Sequence, residues 1–217
     1  MKVLINLLLD LFFPTYCINC KKRGTQLCID CENTLPYPDQ EDRENIFACF
    51  QYHDPIIKRL LHSLKYYKKK NIGLLLGGYM YARLIEEIAE LRTFSEGAGI
   101  ILVPVPITNK RLRERGYNQA ELIAKGLMQN DKEKIFELGK NIIVKTKDTL
   151  PQARIKNRNK RLKNVVGCFN VQNSSLVKNR TVIVIDDVTT TGGTINEAIK
   201  VLKKAGAKKV VGFAIAH

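Results

Sequence analysis

The sequence predicts an α/β protein: a parallel sheet with helices on both faces, preceded by a small four-cysteine module. Three observations predict it. Residues 99–103 and 181–185 are apolar runs without in/out alternation, the pattern of strands buried on both faces. Segments of helical period separate such runs, and this alternation of β and α calls for a parallel sheet covered on both sides. Four of the six cysteines stand before residue 32 in two C-x-x-C pairs.

Taken in order, residues 3–13 read as an amphipathic helix stopped by Pro14. The run is too short to span a bilayer, and Asn6 and Asp10, four apart, share one helical face. No small-residue cleavage site precedes the first cysteines, so a cytoplasmic protein without a membrane span is expected. Cys17, Cys20, Cys28 and Cys31 can deliver four thiolates to one tetrahedral Zn²⁺ at ~2.3 Å, a closed shell whose role is structural. So small a segment cannot bury enough apolar surface to fold unaided, and the metal would supply the difference. Two disulfides are disfavoured in a reducing compartment, and a redox C-x-x-C needs only one pair beside a βαβ unit. Cys49 and Cys168 have apolar or aromatic neighbours, as core residues do.

Pro36, Pro38 and the polar residues 39–45 read as a connector. The expected division is residues 1–40, the helix and zinc module, and residues 46–217, a larger domain with a core of its own. Residues 47–52 read as a strand. Asp54 and Pro55 supply an N-cap and a first helical position, with Ile56, Ile57, Leu60, Leu61 and Leu64 following at helical spacing. Further helices are expected at 73–91, 118–129 and 194–205, the last ended by Gly206. Strands are expected at 99–103, 141–145, 181–185 and 208–214, and a loop at 104–117.

Of 217 residues 45% are hydrophobic and 26% charged, which excludes a disordered chain. The 36 Lys+Arg against 21 Asp+Glu leave a net charge of +15. Residues 1–40 are neutral, so the whole excess lies beyond them. Residues 149–185 carry no acid, while Arg154, Lys156, Arg158, Lys160, Arg161, Lys163, Lys178 and Arg180 are basic. Lys65, Lys68, Lys69 and Lys70 surround Tyr66 and Tyr67. Such clusters attract polyanions, or they are solvated helix faces of a Lys-rich protein.

Residues 182–194 are the most informative segment. A buried strand ends in Asp186 and Asp187 and passes through a Thr/Gly loop into a helix, which sets the loop at the carboxyl end of the strand, where ligands bind in such sheets. Gly192 and Gly193 let backbone amides approach closely, Thr190, Thr191 and Thr194 offer hydroxyls, and the helix N-terminus adds partial positive charge: a phosphate nest. The loop lacks the lysine of a P-loop, and no GxGxxG is present. Phosphate beside paired acids suggests a sugar phosphate; the competing reading is an ordinary Gly-rich β-to-α turn.

Strand, acidic pair and loop resemble the phosphoribosyl-pyrophosphate (PRPP) motif of type I phosphoribosyltransferases. The resemblance implies a phosphoribosyltransferase-like sheet in which Asp186 and Asp187 hold ribose hydroxyls. It further implies that Thr190, Thr191, Gly192, Gly193 and Thr194 cradle the 5-phosphate, with Mg²⁺ bridging the pyrophosphate. Phe13-Pro14 before the cysteine pairs, Val103-Pro-Val-Pro106, Arg115-Gly-Tyr-Asn-Gln119, Gln152 and Arg161-x-x-Asn164-Val-x-x-x-Phe169 appear in the same order along the chain. Over nearly its whole length the chain is thus similar to the ComF family, bacterial proteins linked to natural competence and DNA uptake. Pro104, Val105, Pro106, Ile107 and Thr108 become candidates for the pyrophosphate loop. Arg113 and Arg115, with Arg111, could neutralise the leaving pyrophosphate; alternatively Arg115, Asn118 and Gln119 cap the next helix. His53, His62 and His217 lie far from the motif in sequence, and no segment suggests a nucleobase pocket. The expectation is a DNA-uptake protein with a PRPP site, Arg154, Arg158, Lys160 and Arg161 contacting single-stranded DNA, and a DNA helicase or translocase as partner. The alternative is a phosphoribosyltransferase that moves phosphoribose from PRPP to a small-molecule acceptor.

Overall fold

The computed structural model describes residues 14–36, 45–95, 98–147, 157 and 164–217. The expected helix at 3–13, most of the connector, and Gln152, Arg154, Arg158, Lys160 and Arg161 lie outside the described residues. After α1 (Ile29–Glu32) come β1 (Ile46–Phe50), α2 (Pro55–Tyr66), α3 (Lys70–Ser95), β2 (Ile100–Pro104), α4 (Asn109–Arg115) and α5 (Gln119–Asn130). The remainder is β3 (Phe136–Leu138), β4 (Ile143–Lys145), β5 (Phe169–Val171), β6 (Thr181–Val188), α6 (Gly193–Lys204) and β7 (Lys209–Ala216).

Five strands form one parallel sheet in the order β1-β7-β6-β2-β3. The unalternating sequence of β6 is explained by its two covered faces. Ile183 and Ile185 point into one apolar cluster with Ile57, Leu60, Leu64, Leu76, Met80 and Ile123, the inner faces of α2, α3 and α5. Val182 and Val184 point the other way, to Ile195, Ala198 and Leu202 of α6. In β7, Val211 and Phe213 divide from Val210 and Ala214 in the same manner. α2 begins as its sequence demands: the Asp54 carboxylate accepts from the backbone N–H of Ile56 and Ile57 at 2.8 and 2.9 Å, and Pro55 occupies the first turn. α3 and α5 cross with their backbones in contact. A Cβ at Gly77 would strike the Ile123 carbonyl oxygen, and one at Gly126 the Leu74 carbonyl oxygen.

Three elements escape the sequence pattern. The expected loop at 104–117 contains α4, capped by Thr108, whose hydroxyl accepts from Arg111 N–H, and ended at Gly116 with φ 79°. Its residues Asn-Lys-Arg-Leu-Arg-Glu-Arg bury nothing, so no apolar stripe marks it. β3 and β5 are three residues each, too short to show a period. The expected strand at 141–145 exists as β4, but it pairs antiparallel with β5 outside the main sheet.

The cysteine module does not stand apart from the larger body. Cys17, Leu27, Cys28, Cys31 and Leu35 belong to the same buried cluster as Leu60, Leu64, Ile72 and Met80. Cys49 and Cys168 are buried, as their neighbours suggest.

Candidate ligand site and metal centre

β6 runs three residues beyond its expected end, so Asp186 and Asp187 lie within the strand as its last turnward residues before Val188. Thr189 N–H donates to the Ala216 carbonyl at 2.9 Å, tying the loop to the end of β7. Gly192 takes φ 75° and precedes α6, a conformation that side-chain-bearing residues seldom adopt. Asn196 N–H donates back to the Gly192 carbonyl at 2.8 Å, and Gly193 N–H reaches the Thr191 hydroxyl at 3.4 Å.

This loop walls a cavity of about 420 Å³. Asp186, Asp187 and all of Thr190, Thr191, Gly192, Gly193 and Thr194 line it. The same cavity is lined by Val105, Pro106 and Ile107, with Arg111, Arg115, Asn118 and Gln119. The loop at 105–107 is held in place by two bonds: Val105 N–H to the Ile185 carbonyl, 2.8 Å, and Asn118 Nδ2 to the Val105 carbonyl, 3.0 Å. Of the other sequence candidates, Pro104 ends β2, fully buried, and Thr108 caps α4. Arg113 lines a neighbouring cavity, not this one. Arg115 is in the wall, its Nη1 donating to Gln119 Oε1 at 2.8 Å and its guanidinium 5.8 Å from the Tyr66 ring centroid.

Two features were not evident from sequence. Lys65, read there only as one of a basic cluster, reaches from the last turn of α2 to place Nζ 3.0 Å from Asp187 Oδ2. Both side chains are mostly buried, 21% and 13% exposed. Burial lowers the Lys65 pKa, and the Asp187 carboxylate more than reverses this, so the net displacement is upward. Gln119 is 2% exposed and its Nε2 has no partner among the described residues, a buried donor at the cavity wall. No local signal marks Lys65, because its partner lies 122 residues further along the chain.

Asp186 is the perturbed group. Burial first, and then the adjacent Asp187 carboxylate, push its carboxyl from 3.8 up to about 7. Between those values the folded protein holds a proton that the unfolded chain has released. The resulting stability is complete below the unfolded value and is lost as pH rises through about 7. The unfolding midpoint is therefore expected to fall between about pH 4 and about pH 7 and to level off above it, and Asp186→Asn to flatten that decline. An equally steep decline in Asp186→Asn, followed by calorimetry, would assign the titration to another group.

The second centre is the cysteine cluster. The four Sγ atoms of Cys17, Cys20, Cys28 and Cys31 all lie within 4.8 Å of one another, with no disulfide among them. A tetrahedral shell at ~2.3 Å requires sulfurs ~3.8 Å apart, so the set fits one zinc-sized ion. Cys17 sits in the first knuckle, where its N–H donates to the Lys22 carbonyl at 2.8 Å, and Cys28 precedes α1. Burial raises the Cys17 thiol, but backbone hydrogen bonds at Cys20, Cys28 and Asn19 outweigh it and bring the pKa down to about 6. Asn19 Nδ2 donates to Cys31 Sγ at 3.3 Å, an outer contact that steadies a ligand.

The phosphoribosyl transferase domain model matches residues 115–217, which include β6, its loop and α6. Competence protein F of Haemophilus influenzae is 29% identical over 210 residues, covering 94% of this chain and 85% of that protein. DNA utilization protein YhgH of Escherichia coli K12 is 28% identical over 205 residues, covering 90% and 81%. Competence protein ComFC of Bacillus subtilis is 30% identical over 116 residues, covering 53% and 43%. Among the described residues no helix is long and apolar enough to cross a membrane. A parallel phosphoribosyltransferase-type sheet, a four-cysteine cluster ahead of it, and relatives of this kind along most of the length support the ComF family for this chain.

Proposed function

We propose that this chain binds PRPP with Mg²⁺ in the 420 Å³ cavity, holds a structural zinc in its cysteine cluster, and acts on single-stranded DNA in DNA uptake. One observation carries the ligand assignment: an acidic pair, a Thr/Gly helix-initiating loop, Arg111 and Arg115 all line one cavity. The parts suit the two ends of one molecule. Carboxylates accept from vicinal hydroxyls, amides and hydroxyls of residues 190–194 hold a phosphate, and the arginines face the remaining charge. The unpartnered Gln119 Nε2 offers a further donor. Mg²⁺ would supply charge neutralisation at the pyrophosphate; the carboxylates of Asp186 and Asp187 are the hard oxygen donors that suit it. The DNA role is supported by the +15 charge and by relatives named for competence and DNA utilization.

Mg·PRPP is expected to raise the unfolding midpoint; at a hundredfold excess over Kd the stabilisation is about 2.7 kcal/mol. Asp186→Asn/Asp187→Asn, measured against its own ligand-free midpoint, should lose most of that shift. An undiminished shift would remove the acidic pair from the binding site. Phosphoribosyl transfer is the second reading, favoured by Arg115 at the cavity wall. Acceptor-dependent release of pyrophosphate from Mg·PRPP decides for it; binding without release decides for a ligand sensor.

A further inference from the structure

Two larger cavities continue from the ligand cavity, the first adjoining it and the second adjoining the first. One, of about 820 Å³, lies beyond the β2–α4 connection and shares Pro106, Ile107, Asn118 and Lys145 with it. The other, of about 720 Å³, lies between the cysteine module and the start of α3, where Tyr16 and Lys21 face Lys68, Lys69 and Lys70. Lys70 lines both, so the three cavities share walls in series. Along the two outer ones stand ten cationic residues and a single carboxylate, Glu121. That carboxylate is engaged by Lys125 at 2.8 Å and Lys140 at 3.3 Å. Lys68, Lys69, Lys110 and Lys147 are exposed and have no ion-pair partner among the described residues. A merely solvated lysine face would intersperse acids and need not be concave.

We infer that this track seats a single-stranded polynucleotide, running from the cysteine module past the start of α3 to the mouth of the ligand cavity. The inference rests on the proposed DNA role and gives it a surface, different from the basic segment at 154–161 that sequence alone favours. Charge accounts for the backbone of the strand. The bases have their own partners: Tyr66 and Tyr67, 62% and 65% exposed at the end of α2 beside Lys68, and Tyr16, 51% exposed in the cavity by the cysteines. An exposed tyrosine ring stacks on an unpaired base and finds no such face on a duplex. A concave groove also suits a strand better than a vesicle surface.

The test is an anisotropy titration of dye-labelled oligothymidylate at several salt concentrations, using the full chain. Lys69→Ala/Lys110→Ala/Lys147→Ala removes three phosphate contacts, each worth ~0.7 in the log-log salt slope. The slope should fall by about 2 and affinity at 0.1 M salt by roughly 100-fold. The unfolding midpoint and its Mg·PRPP shift should stay as in wild type. An unchanged slope and affinity would overturn the track, whatever Arg158→Ala/Lys160→Ala/Arg161→Ala does. Equal affinity for duplex, or for phosphatidylserine vesicles, would overturn the single-strand assignment. Wild type that binds no oligonucleotide while Mg·PRPP still shifts its midpoint would overturn the track and the DNA role together, and leave the ligand site standing.

Discussion

Lys65→Met is expected to destabilise the protein by about 3–5 kcal/mol in denaturant unfolding at neutral pH, the usual cost of removing one member of a buried ion pair. The 3.0 Å contact with Asp187 brings an ammonium from α2 against the strand that carries both carboxylates. Without it, the mutual repulsion of the Asp186 and Asp187 carboxylates loses this close counter-charge. Lys65→Met/Asp187→Leu should recover most of the loss, because an apolar pair of similar volume fills the space without a stranded charge. The loss in Lys65→Met should also shrink in acid, as Asp186 takes up its proton and the two carboxylates no longer repel. A single-variant loss below about 1 kcal/mol would mean that water screens the pair as at an exposed surface.

Cys28→Ser should have the other large effect. Metal analysis of the wild type is expected to give one zinc per chain, and the variant to lose it. Structural zinc contributes an apparent ~10–16 kcal/mol in isolated finger peptides, so the loss far exceeds that of an ordinary core substitution. Its reach follows from packing. The sequence assigns residues 46–217 a core of their own, yet Cys28 and Cys31 pack in one cluster with Leu60, Leu64 and Met80 of α2 and α3. Hydrogen exchange in Cys28→Ser should therefore quicken across α2 and α3 as well as before residue 36. Exchange confined to the module would show that the larger body holds its core alone.

How far the fold could be read in advance depended on where the determining interactions lie. Asp54-Pro55, Asn118 and the apolar run of β6 act locally, through a cap within three residues or through burial on both faces, and the elements they mark stand where expected, β6 running on three residues past its expected end. The conformation of the Thr/Gly loop was legible for the same reason: its strand, glycines and helix start are contiguous. α4 was not, because a charged helix held by a cap at each end buries no stripe. β5 was not, because a three-residue strand exists only by pairing with β4. Lys65 and the cationic track belong to a third kind. They arise where α2, α3, α4 and the cysteine module meet, and no window of sequence contains that meeting.

The backbone contact between α3 and α5 governs how the ligand cavity can respond. Gly77 and Gly126 let the two helices touch without intervening side chains, which leaves little slack for one to slide on the other. α5 begins at Gln119, and Asn118 before it holds the loop at 105–107 through Val105. That wall is consequently fixed to the centre of the molecule before any ligand arrives. A molecule entering the cavity loses its own freedom but spends little on ordering Gln119 or the loop, and preorganisation of this kind lengthens residence more than it speeds arrival. Adaptation must come from elsewhere in the lining, where a bound cation or hydroxyl would compete with Lys65 for Asp187.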